Sequence, residues 1–461
     1  MRVPGIVYAN DDLINGIKMD RTLEQCANVA HLPGIQKFSI TLPDGHEGYG
    51  FPIGGVAATD YEEGVISPGG VGYDINCSVR LLTTNLTEKD VRPKLMAVTE
   101  AIFRNVPSGL GSKREGFKLS TQELDSLMSE GAEWIVSKGL GRQEDLRYCE
   151  EEGCMKDADP GKVSNTAKRR GLTQIGTLGS GNHFLEIGKV EKIFDVKVAN
   201  VFGITHTNQV ALMIHSGSRG LGHQVCSDYL KVMDRAIEKY GIILPDRELA
   251  CAPGNSKEAQ EYYQAMSCAV NYAFSNRQVM THYVRESFEQ VFKISADKVG
   301  LDLVYDVAHN IVKIEEHIID GSVKKVWVHR KGATRSFGPS NRDIPSDYQN
   351  IGQPVLIPGT MGSSSWVMVG TDKASEISFG STAHGAGRIM SRGAAKKQLR
   401  IEDIRDKLRK QGIIVKSASL EALSEEATEA YKDVDKVAEV SDELGIATKV
   451  ARLIPMAVIK G

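Results

Sequence analysis

The pattern of apolar and polar residues changes repeatedly between a helical and an extended period. Capping boxes at 87–90 (TEKD) and 120–123 (STQE) predict helices that run to about residues 105 and 138. Residues 256–293 carry a long helical pattern without glycine, and helices are predicted again from about 401 to 449. The chain therefore contains a substantial helical part.

Extended segments lie between these helices. Residues 311–332 (IVKIEEHIIDGSVKKVWVHRKG) predict a β-hairpin, because Asp320-Gly321 suits the positive φ angles of a type I′ turn. The terminal MAVIKG has two interpretations: a frayed end, or a buried strand at 456–459 that carries Lys460 inward.

The candidate chemical motifs are spread from near residue 44 to the last residues, and no low-complexity linker divides the chain. A modular protein would concentrate its site in one segment. We therefore expect a single large intertwined domain over residues 1–461. Helices and strands without regular βαβ alternation predict an α+β fold, with mixed sheets and surrounding helices.

Composition narrows the class of protein. The 461 residues are 41% hydrophobic and 25% charged, as in soluble globular proteins, and the net charge of −3 gives no global nucleic-acid signal. No apolar run approaches the ~20 residues of a membrane span, and the first residues lack the apolar core of a secretory signal. Seven cysteines without framework spacing predict reduced thiols and a cytoplasmic location.

Several residues are of the types that bind transition metals: Asp74, Cys77, His183, His215 and His309. Taken singly, a buried cysteine is usually a small hydrophobe, and a histidine on an apolar run is usually a hydrogen-bonded core residue. Repetition favours a metal site, because the three histidines are expected to end strand-like runs. The donors suit one tetrahedral ion or two ions that share the thiolate. Zinc, iron and cobalt fit the soft donors, and the carboxylate also admits manganese.

Two loops of small residues indicate anion binding. GTLGSGN (176–182) and GTMGSSS (359–365) are rich in backbone N–H donors and hydroxyls. The second loop lacks the Gly-Lys-Ser/Thr ending of a P-loop, and an ordinary surface loop is the alternative.

His384 lies among small residues in FGSTAHGAGRIMSR (379–392), as a histidine that attacks phosphorus requires. Arg388 and Arg392 follow at helical spacing and are expected on one helix face. Further cations extend the prediction to a local basic track for a phosphodiester backbone: Arg219, Lys331 and Arg335. Any single arginine is usually a solvated charge.

These motifs occur in the order found in RtcB-type RNA ligases, which the chain resembles from LPDGHEGYGFPIGG (42–55) to Lys460. The matching motifs are GYDINC, GSGNHFLE, HSGSRGLGHQ, AHNI, RKGATR, PGTMGSSS and HGAGR. One departure is Ser78, where the family usually has glycine after DINC. Serine fits if its φ angle is negative, so we expect the metal site to persist.

The resemblance implies a GTP- and manganese-dependent ligase for tRNA splicing or RNA repair. It would join an RNA 3′-phosphate or 2′,3′-cyclic phosphate to a 5′-hydroxyl. Asp74, Cys77 and His183 would hold one Mn²⁺; Cys77, His215 and His309 would hold the second. His384 matches the family nucleophile that becomes guanylylated. Implied partners are tRNA exon halves or broken RNA ends and an archease-like activator, with no membrane.

The resemblance also implies a guanine-nucleotide site, in which Glu186 would accept from the guanine edge and favour GTP over ATP. Its members would be Asn182, His183, Phe184, Leu185, Glu186, His309, Asn310, Pro358, Gly359, Thr360, Met361, Ser365, His384, Gly385, Ala386, Gly387, Tyr431 and Lys460. Four cations remain candidates for the RNA phosphate: Arg219, Lys331, Arg388 and Arg392. The last two are alternatively candidates for the pyrophosphate.

Two other classes remain open. A metal-dependent RNA phosphodiesterase would use the same donors without a covalent nucleotide. A non-catalytic RNA-binding or chaperone-like protein would use a structural metal. Incubation with Mn²⁺ and GTP labelled at the α-phosphorus tests the ligase against these two classes, because only the ligase is expected to become covalently labelled. We expect a monomer.

Overall fold

Helices surround the sheets in the computed structural model, which describes residues 1–114 and 116–461. They are α1 Asp11–Ile17, α2 Thr22–Val29, α3 Glu88–Val91, α4 Leu95–Asn105, α5 Thr121–Glu130, α6 Ala132–Ser137, α7 Asn165–Gly171, α8 Val196–Val201, α9 Arg219–Lys239, α10 Lys257–Phe292, α11 Ala296–Val299, α12 Asp372–Ile377, α13 Arg392–Gln398, α14 Ile401–Lys410, α15 Leu420–Glu425 and α16 Val434–Leu444.

The strands come from all parts of the chain. They are β1 Gly5–Val7, β2 Ile35–His46, β3 Ile53–Asp60, β4 Val65–Ile66, β5 Ser78–Thr87, β6 Phe184–Ile193, β7 Gln209–Ser216, β8 Ala252–Pro253, β9 Gly300–Ala308, β10 Asn310–Ile319, β11 Ser322–Lys331, β12 Ala333–Arg335, β13 Pro354–Ile357, β14 Ser365–Gly370, β15 Ser381–Ala383, β16 Ile414–Ser417 and β17 Ala447–Lys460.

Two large sheets organise the fold. The eight-stranded sheet has the order β13-β14-β17-β6-β7-β5-β9, with β16 parallel to β17. The five-stranded sheet has the order β1-β2-β3-β11-β10, and two-stranded sheets pair β12 with β15 and β4 with β8. Some neighbouring strands are consecutive, but others, such as β3 and β11 or β6 and β17, are far apart in the chain, and parallel and antiparallel pairs occur together. The predicted α+β fold with intertwined, mixed sheets is confirmed.

Both faces of the eight-stranded sheet are buried. Successive residues of β7 face opposite sides, so Leu212 joins a cluster with α4 and α10 while Met213 packs in another. The seven cysteines are buried and unpaired, as expected for reduced thiols. In the described part of the chain, no helix is long and apolar enough to cross a membrane.

The strongest local patterns are confirmed. The helix predicted over 256–293 is α10, at Lys257–Phe292. The predicted hairpin is β10–β11, and its turn residues Asp320 and Gly321 have φ angles of 52° and 78°. Both capping boxes form, but each predicted helix is interrupted, the first by the 3₁₀ turn Arg92–Lys94 and the second at Gly131.

The prediction of helices throughout 401–449 is wrong in part. Residues 414–417 form β16 instead, because they pair in parallel with residues 457–460 of β17. β17 itself begins at Ala447. Of the two interpretations of the terminal segment, the buried strand is correct, and Lys460 is 3% exposed.

Candidate active site

Neighbouring strands bring the predicted metal-binding residues together at one edge of the eight-stranded sheet. Cys77 directly precedes β5. The first residue of β5, Ser78, pairs with Ser216 of β7 on one side and with Ala308 of β9 on the other. His215 and His309 therefore lie on either side of Cys77. The sheet register converts three distant motifs into one cluster.

His183 also joins this cluster, but it lies at the start of a strand, whereas the prediction placed it at the end of one. It precedes β6 instead of ending a strand, and the next residue, Phe184, pairs with His215. His183 Nδ1 donates a hydrogen bond to the carbonyl oxygen of Leu178, at 3.0 Å. Nε2 is therefore the ring nitrogen that faces Asp74 and is left to bind a cation.

The loop that carries Asp74 and Cys77 is held by a buried arginine. The Cys77 amide donates to the Asp74 carbonyl at 2.9 Å, and Asn76 between them has a φ of 50°. Arg277 of α10 donates to the carbonyl oxygens of Asn76 and Ser216, at 3.1 and 2.9 Å. Because Arg277 is fully buried, this contact fixes the loop against β7.

Ser78, the departure from the usual family motif, fits the strand. Its backbone is extended in β5, outside the left-handed region, and its Oγ donates to Asp306 Oδ1 at 2.6 Å. Asp306 also accepts from Arg277 and Arg80. The serine thus joins the buried network behind the loop and leaves the Cys77 side chain in place.

The donor atoms form two groups that share one residue. Cys77, His215 and His309 make up one group, and Asp74, Cys77 and His183 make up the other; within each, the ligand atoms lie within 4.8 Å of one another. Cys77 Sγ is 3.2 Å from His215 Nε2 and 3.4 Å from His183 Nε2. Asp74 Oδ2 is 2.7 Å from His183 Nε2.

The protonation states suit metal binding. Burial and the neighbouring histidines lower the pKa of His215 and His309 well below the usual value, so both rings are neutral. Burial opposes ionisation of Asp74, but His183 beside it holds its pKa below the usual value. Burial and Asp74 raise the pKa of the Cys77 thiol, which a bound cation would reverse.

Unpartnered polar atoms support the same interpretation. Among the described residues, Asp74 Oδ1, His215 Nδ1 and His309 Nδ1 are buried without a hydrogen-bond partner in the protein. Orphaned donors and acceptors are uncommon in a folded interior. One carboxylate, one thiolate and three imidazoles form a donor set that fits divalent transition metals.

His384 lies next to this cluster, directly after β15. Its ring centroid is 4.8 Å from that of His309. Asp44 Oδ2 accepts from the His384 backbone N–H at 3.0 Å and from Nδ1 at 2.5 Å. Nδ1 is therefore the ring nitrogen that donates a proton to Asp44, and Nε2 is the ring nitrogen left for another partner.

Asp44 is a residue of the site that sequence reasoning missed. It is fully buried on β2 of the five-stranded sheet, and the partners His384 and Lys432 hold its pKa below the usual value against the effect of burial. Gly387 makes the close approach possible, because a Cβ there would lie 2.1 Å from the Asp44 carbonyl oxygen. The available signal in the sequence was the aspartate itself, in the stretch LPDGHEGYGFPIGG (42–55) that matches the family.

A cavity of about 810 Å³ extends from the metal-binding cluster past His384. Most of the residues expected around the nucleotide line it: Asn182, Phe184, Glu186, His309, Asn310, Pro358, Gly359, Thr360, Met361, His384, Gly385, Ala386, Gly387, Tyr431 and Lys460. Leu185 does not, because it alternates to the opposite face of β6 and packs in the core. Ser365 supports the wall from behind, since its Oγ accepts from the Gly359 amide at 3.1 Å.

The cavity lining contains two buried titratable groups on paired strands, Glu186 and Lys460. Burial raises the pKa of Glu186 to about 8, so its carboxyl is largely protonated at neutral pH. Lys460 of β17 pairs with Phe184 of β6, and its ammonium lies 5.7 Å from the Phe184 ring centroid.

The predicted basic track is not continuous. Lys331 lines the cavity, but its ammonium donates to the carbonyl oxygens of Tyr49 and Phe51, and burial lowers its pKa to about 7. Arg219 is buried and donates to Thr177 Oγ1 at 3.2 Å. Arg335 lies elsewhere, bonded to Gln353 and Tyr305.

The expectation that Arg388 and Arg392 share a helix face is wrong. Arg388 is extended and forms an isolated bridge with Tyr431, while α13 begins only at Arg392, after the N-cap Ser391. Both arginines still line the cavity. They approach it from different local structures.

Comparisons with known proteins identify the family of this chain. A family model described as "tRNA-splicing ligase RtcB" matches residues 25–461. Proteins described by the same words from Methanococcus maripaludis, Thermococcus kodakarensis and Archaeoglobus fulgidus are 57%, 56% and 54% identical over 461 residues. Each alignment covers 100% of this chain and 95% of the relative. The chain therefore belongs to the RtcB family.

Proposed function

We propose that this chain, acting as one catalytic domain over residues 1–461, is a GTP-dependent RNA ligase. It joins an RNA 3′-phosphate or 2′,3′-cyclic phosphate to a 5′-hydroxyl, in tRNA splicing or RNA repair. The observation that carries the proposal is His384, whose Nδ1–H is held by Asp44 beside a cluster of metal-binding side chains. A phosphodiesterase that cleaves RNA with metal-activated water needs no histidine held in this way for nucleophilic attack.

His384 acts first as a nucleophile. Its Nε2 attacks the α-phosphorus of GTP, an N–P bond forms, and the bond to the leaving pyrophosphate breaks. Asp44 stabilises the positive charge that develops on the ring, because it accepts from Nδ1–H. Gly385 and Gly387 on the following segment keep bulky groups away from the line of attack.

Two further transfers complete the reaction. An oxygen of the RNA 3′-phosphate attacks the phosphorus on His384, so GMP moves to the RNA and Nε2 recovers its lone pair. The 5′-hydroxyl oxygen then attacks the RNA phosphorus, loses its proton and displaces GMP. For a 2′,3′-cyclic phosphate, hydrolysis to the 3′-phosphate comes first.

We propose two Mn²⁺ ions as cofactors. Asp74, Cys77 and His183 would hold one, and Cys77, His215 and His309 would hold the other. Two overlapping donor groups with neutral imidazoles support this assignment. When bound, Mn²⁺ supplies Lewis-acid stabilisation of negative charge on phosphate.

The proposal also covers the partners, the cellular location and the oligomeric state. The partners are RNA ends, such as tRNA exon halves, and an archease-like activator, which family membership supports. Seven unpaired cysteines support a reducing, cytoplasmic location. We further propose that the enzyme works as a monomer.

Joining of two RNA strands tests the proposal. One strand carries a 3′-phosphate and the other a 5′-hydroxyl, and both are incubated with enzyme, Mn²⁺ and GTP. We expect a joined strand that requires GTP. Shortened RNA without joining would instead indicate a phosphodiesterase, and bound but unchanged RNA would indicate a binding protein.

The pKa of Glu186 predicts a pH-dependent affinity for guanine. The guanine edge presents N–H donors, so binding requires the ionised carboxylate and releases a proton from a group with a pKa of about 8. Guanosine affinity should therefore rise by up to about tenfold per pH unit between about pH 6 and 8, then level off. Equilibrium dialysis with guanosine avoids titration of the GTP phosphates. Glu186→Gln should bind more weakly without this pH dependence; a flat profile in the unmodified protein would contradict the guanine contact.

Asp44 predicts a second effect. Asp44→Asn keeps the shape of the side chain but removes the charge that orients Nδ1–H. We expect the rate of histidine guanylylation at saturating GTP to fall by roughly 10² to 10⁴, with little change in GTP affinity. Single-turnover labelling measures this rate. A rate equal to that of the unmodified protein would show that Asp44 does not assist His384.

A further inference from the structure

A buried carboxylate outside the predicted site organises one wall of the cavity. Glu426 directly follows α15, and its side chain is 2% exposed. It contacts four of the residues expected at the site: Arg388 Nη1 at 3.2 Å, Lys460 Nζ at 3.5 Å, Arg392 Nε at 3.5 Å and the Tyr431 hydroxyl, which donates to Glu426 Oε2. One side chain thus connects groups from three separate parts of the chain.

Arg388 is held almost entirely within this wall. Besides Glu426, it donates to the Tyr431 hydroxyl at 2.8 Å and to the Glu425 carbonyl at 2.8 Å. Its guanidinium also lies 4.8 Å from the Tyr431 ring centroid, and its side chain is 15% exposed. The geometry leaves few N–H groups of Arg388 for a phosphate.

Arg392 differs in its exposure. Its side chain is 54% exposed, and its contacts with Glu425 and Glu426, at 3.9 and 3.5 Å, are longer than ordinary hydrogen-bonded ion pairs. A phosphate can therefore compete for Arg392 without breaking a buried network.

Lys460 depends on Glu426 more strongly. Its ammonium is buried, and Glu426 is the one carboxylate among the described residues that forms an ion pair with it. Without that carboxylate, a buried ammonium would lose its compensating charge and would tend to deprotonate or move. Its position beside Phe184 in the cavity lining would no longer be fixed.

We infer that Glu426 is a positioning residue of the nucleotide site: it fixes Lys460 and Tyr431 for the nucleotide and holds Arg388 in the wall. Arg392 then becomes the arginine that meets the RNA phosphate. The inference rests on the proposed function, since it assigns roles within the same cavity. From the sequence alone, the two arginines had the same candidate roles. Here Arg388 has a structural role in the wall, and Arg392 contacts the substrate.

Glu426→Gln tests the positioning role, because it keeps the size of the side chain and removes its charge. In the Mn²⁺-loaded protein we expect the Kd and the KM for GTP to rise by about tenfold or more, and kcat for guanylylation to change much less. Glu426→Asp keeps the charge and should recover part of the affinity. The matched control is Glu425→Gln, whose carboxylate pairs with Lys396 and lies outside the Lys460 contact. It should bind GTP normally.

The arginines supply a second readout. With RNA that already carries the activated 3′ end, Arg392→Gln should raise the KM for RNA several-fold, whereas Arg388→Gln should mainly weaken GTP binding. Unchanged GTP affinity in Glu426→Gln would overturn the inference, and so would parallel losses of kcat, affinity and thermal stability. If Glu426→Gln weakens GTP binding but the unmodified protein never takes up covalent label, the proposed function fails and the positioning role stands.

Discussion

Cys77→Ala is expected to lose both metal ions and RNA joining together. Cys77 is the residue common to the two donor groups, so its removal takes one donor from each. Loss of groups that only orient metal ligands already weakens metal binding by about 10- to 100-fold, and loss of a shared ligand should exceed that range. Metal content after gel filtration and Mn²⁺ titration measure the effect.

Cys268→Ala is the matched control, because Cys268 is equally buried but belongs to the hydrophobic core around α10. This variant should keep both ions. If Cys77→Ala also retained two ions per chain, Cys77 would not be a bridging ligand.

His384→Ala is expected to abolish joining of an RNA 3′-phosphate, by at least about 10³-fold, as for removal of other covalent nucleophiles. The same variant should still join RNA that already carries a 3′-diphosphate-linked guanosine, because His384 is needed only to deliver GMP. Rates with the two RNA substrates, measured side by side, separate this role from general damage.

The control is His206→Ala, since His206 is an exposed histidine that does not line the cavity. It should behave as the unmodified protein does with both substrates. Equal loss of both reactions in His384→Ala would mean that His384 supports the fold or the metal site, and that it is not the nucleophile.

Local patterns in the sequence predicted the elements whose stability is local. The hairpin turn at Asp320-Gly321 and the long helix α10 depend on turn chemistry and residue composition within one segment. The helix predicted over residues 414–417 was wrong, because these residues form a strand through pairing with residues 457–460 of β17. Tertiary pairing there overrides the local preference.

Residue types predicted the members of the site better than their arrangement. The candidate metal ligands and His384 were named from motifs, and the resemblance implied the two overlapping donor groups, which form through the register of β5, β7 and β9. Motifs alone left open whether the donors hold one ion or two. Helical spacing of Arg388 and Arg392 was misleading, because Arg388 pairs with Tyr431 in an extended conformation.

The residues that were missed act on others across the fold. Asp44 is 340 positions from His384, and Glu426 meets Lys460 only after β17 enters the sheet. A lone carboxylate near the end of a strand, like Asp44, or directly after a short helix, like Glu426, has no sequence pattern that indicates so distant a partner. Such residues become visible through contacts and burial.

We propose that His384 carries GMP. Incubation of the unmodified protein with Mn²⁺ and GTP labelled at the α-phosphorus, followed by peptide mapping, measures whether this covalent bond forms. We predict an acid-labile, alkali-stable label on the peptide that contains His384, and its release when an RNA 3′-phosphate is added. If no covalent label appears with Mn²⁺ or with any other divalent ion tried, or if the label is on a different residue, His384 is not the residue that carries GMP.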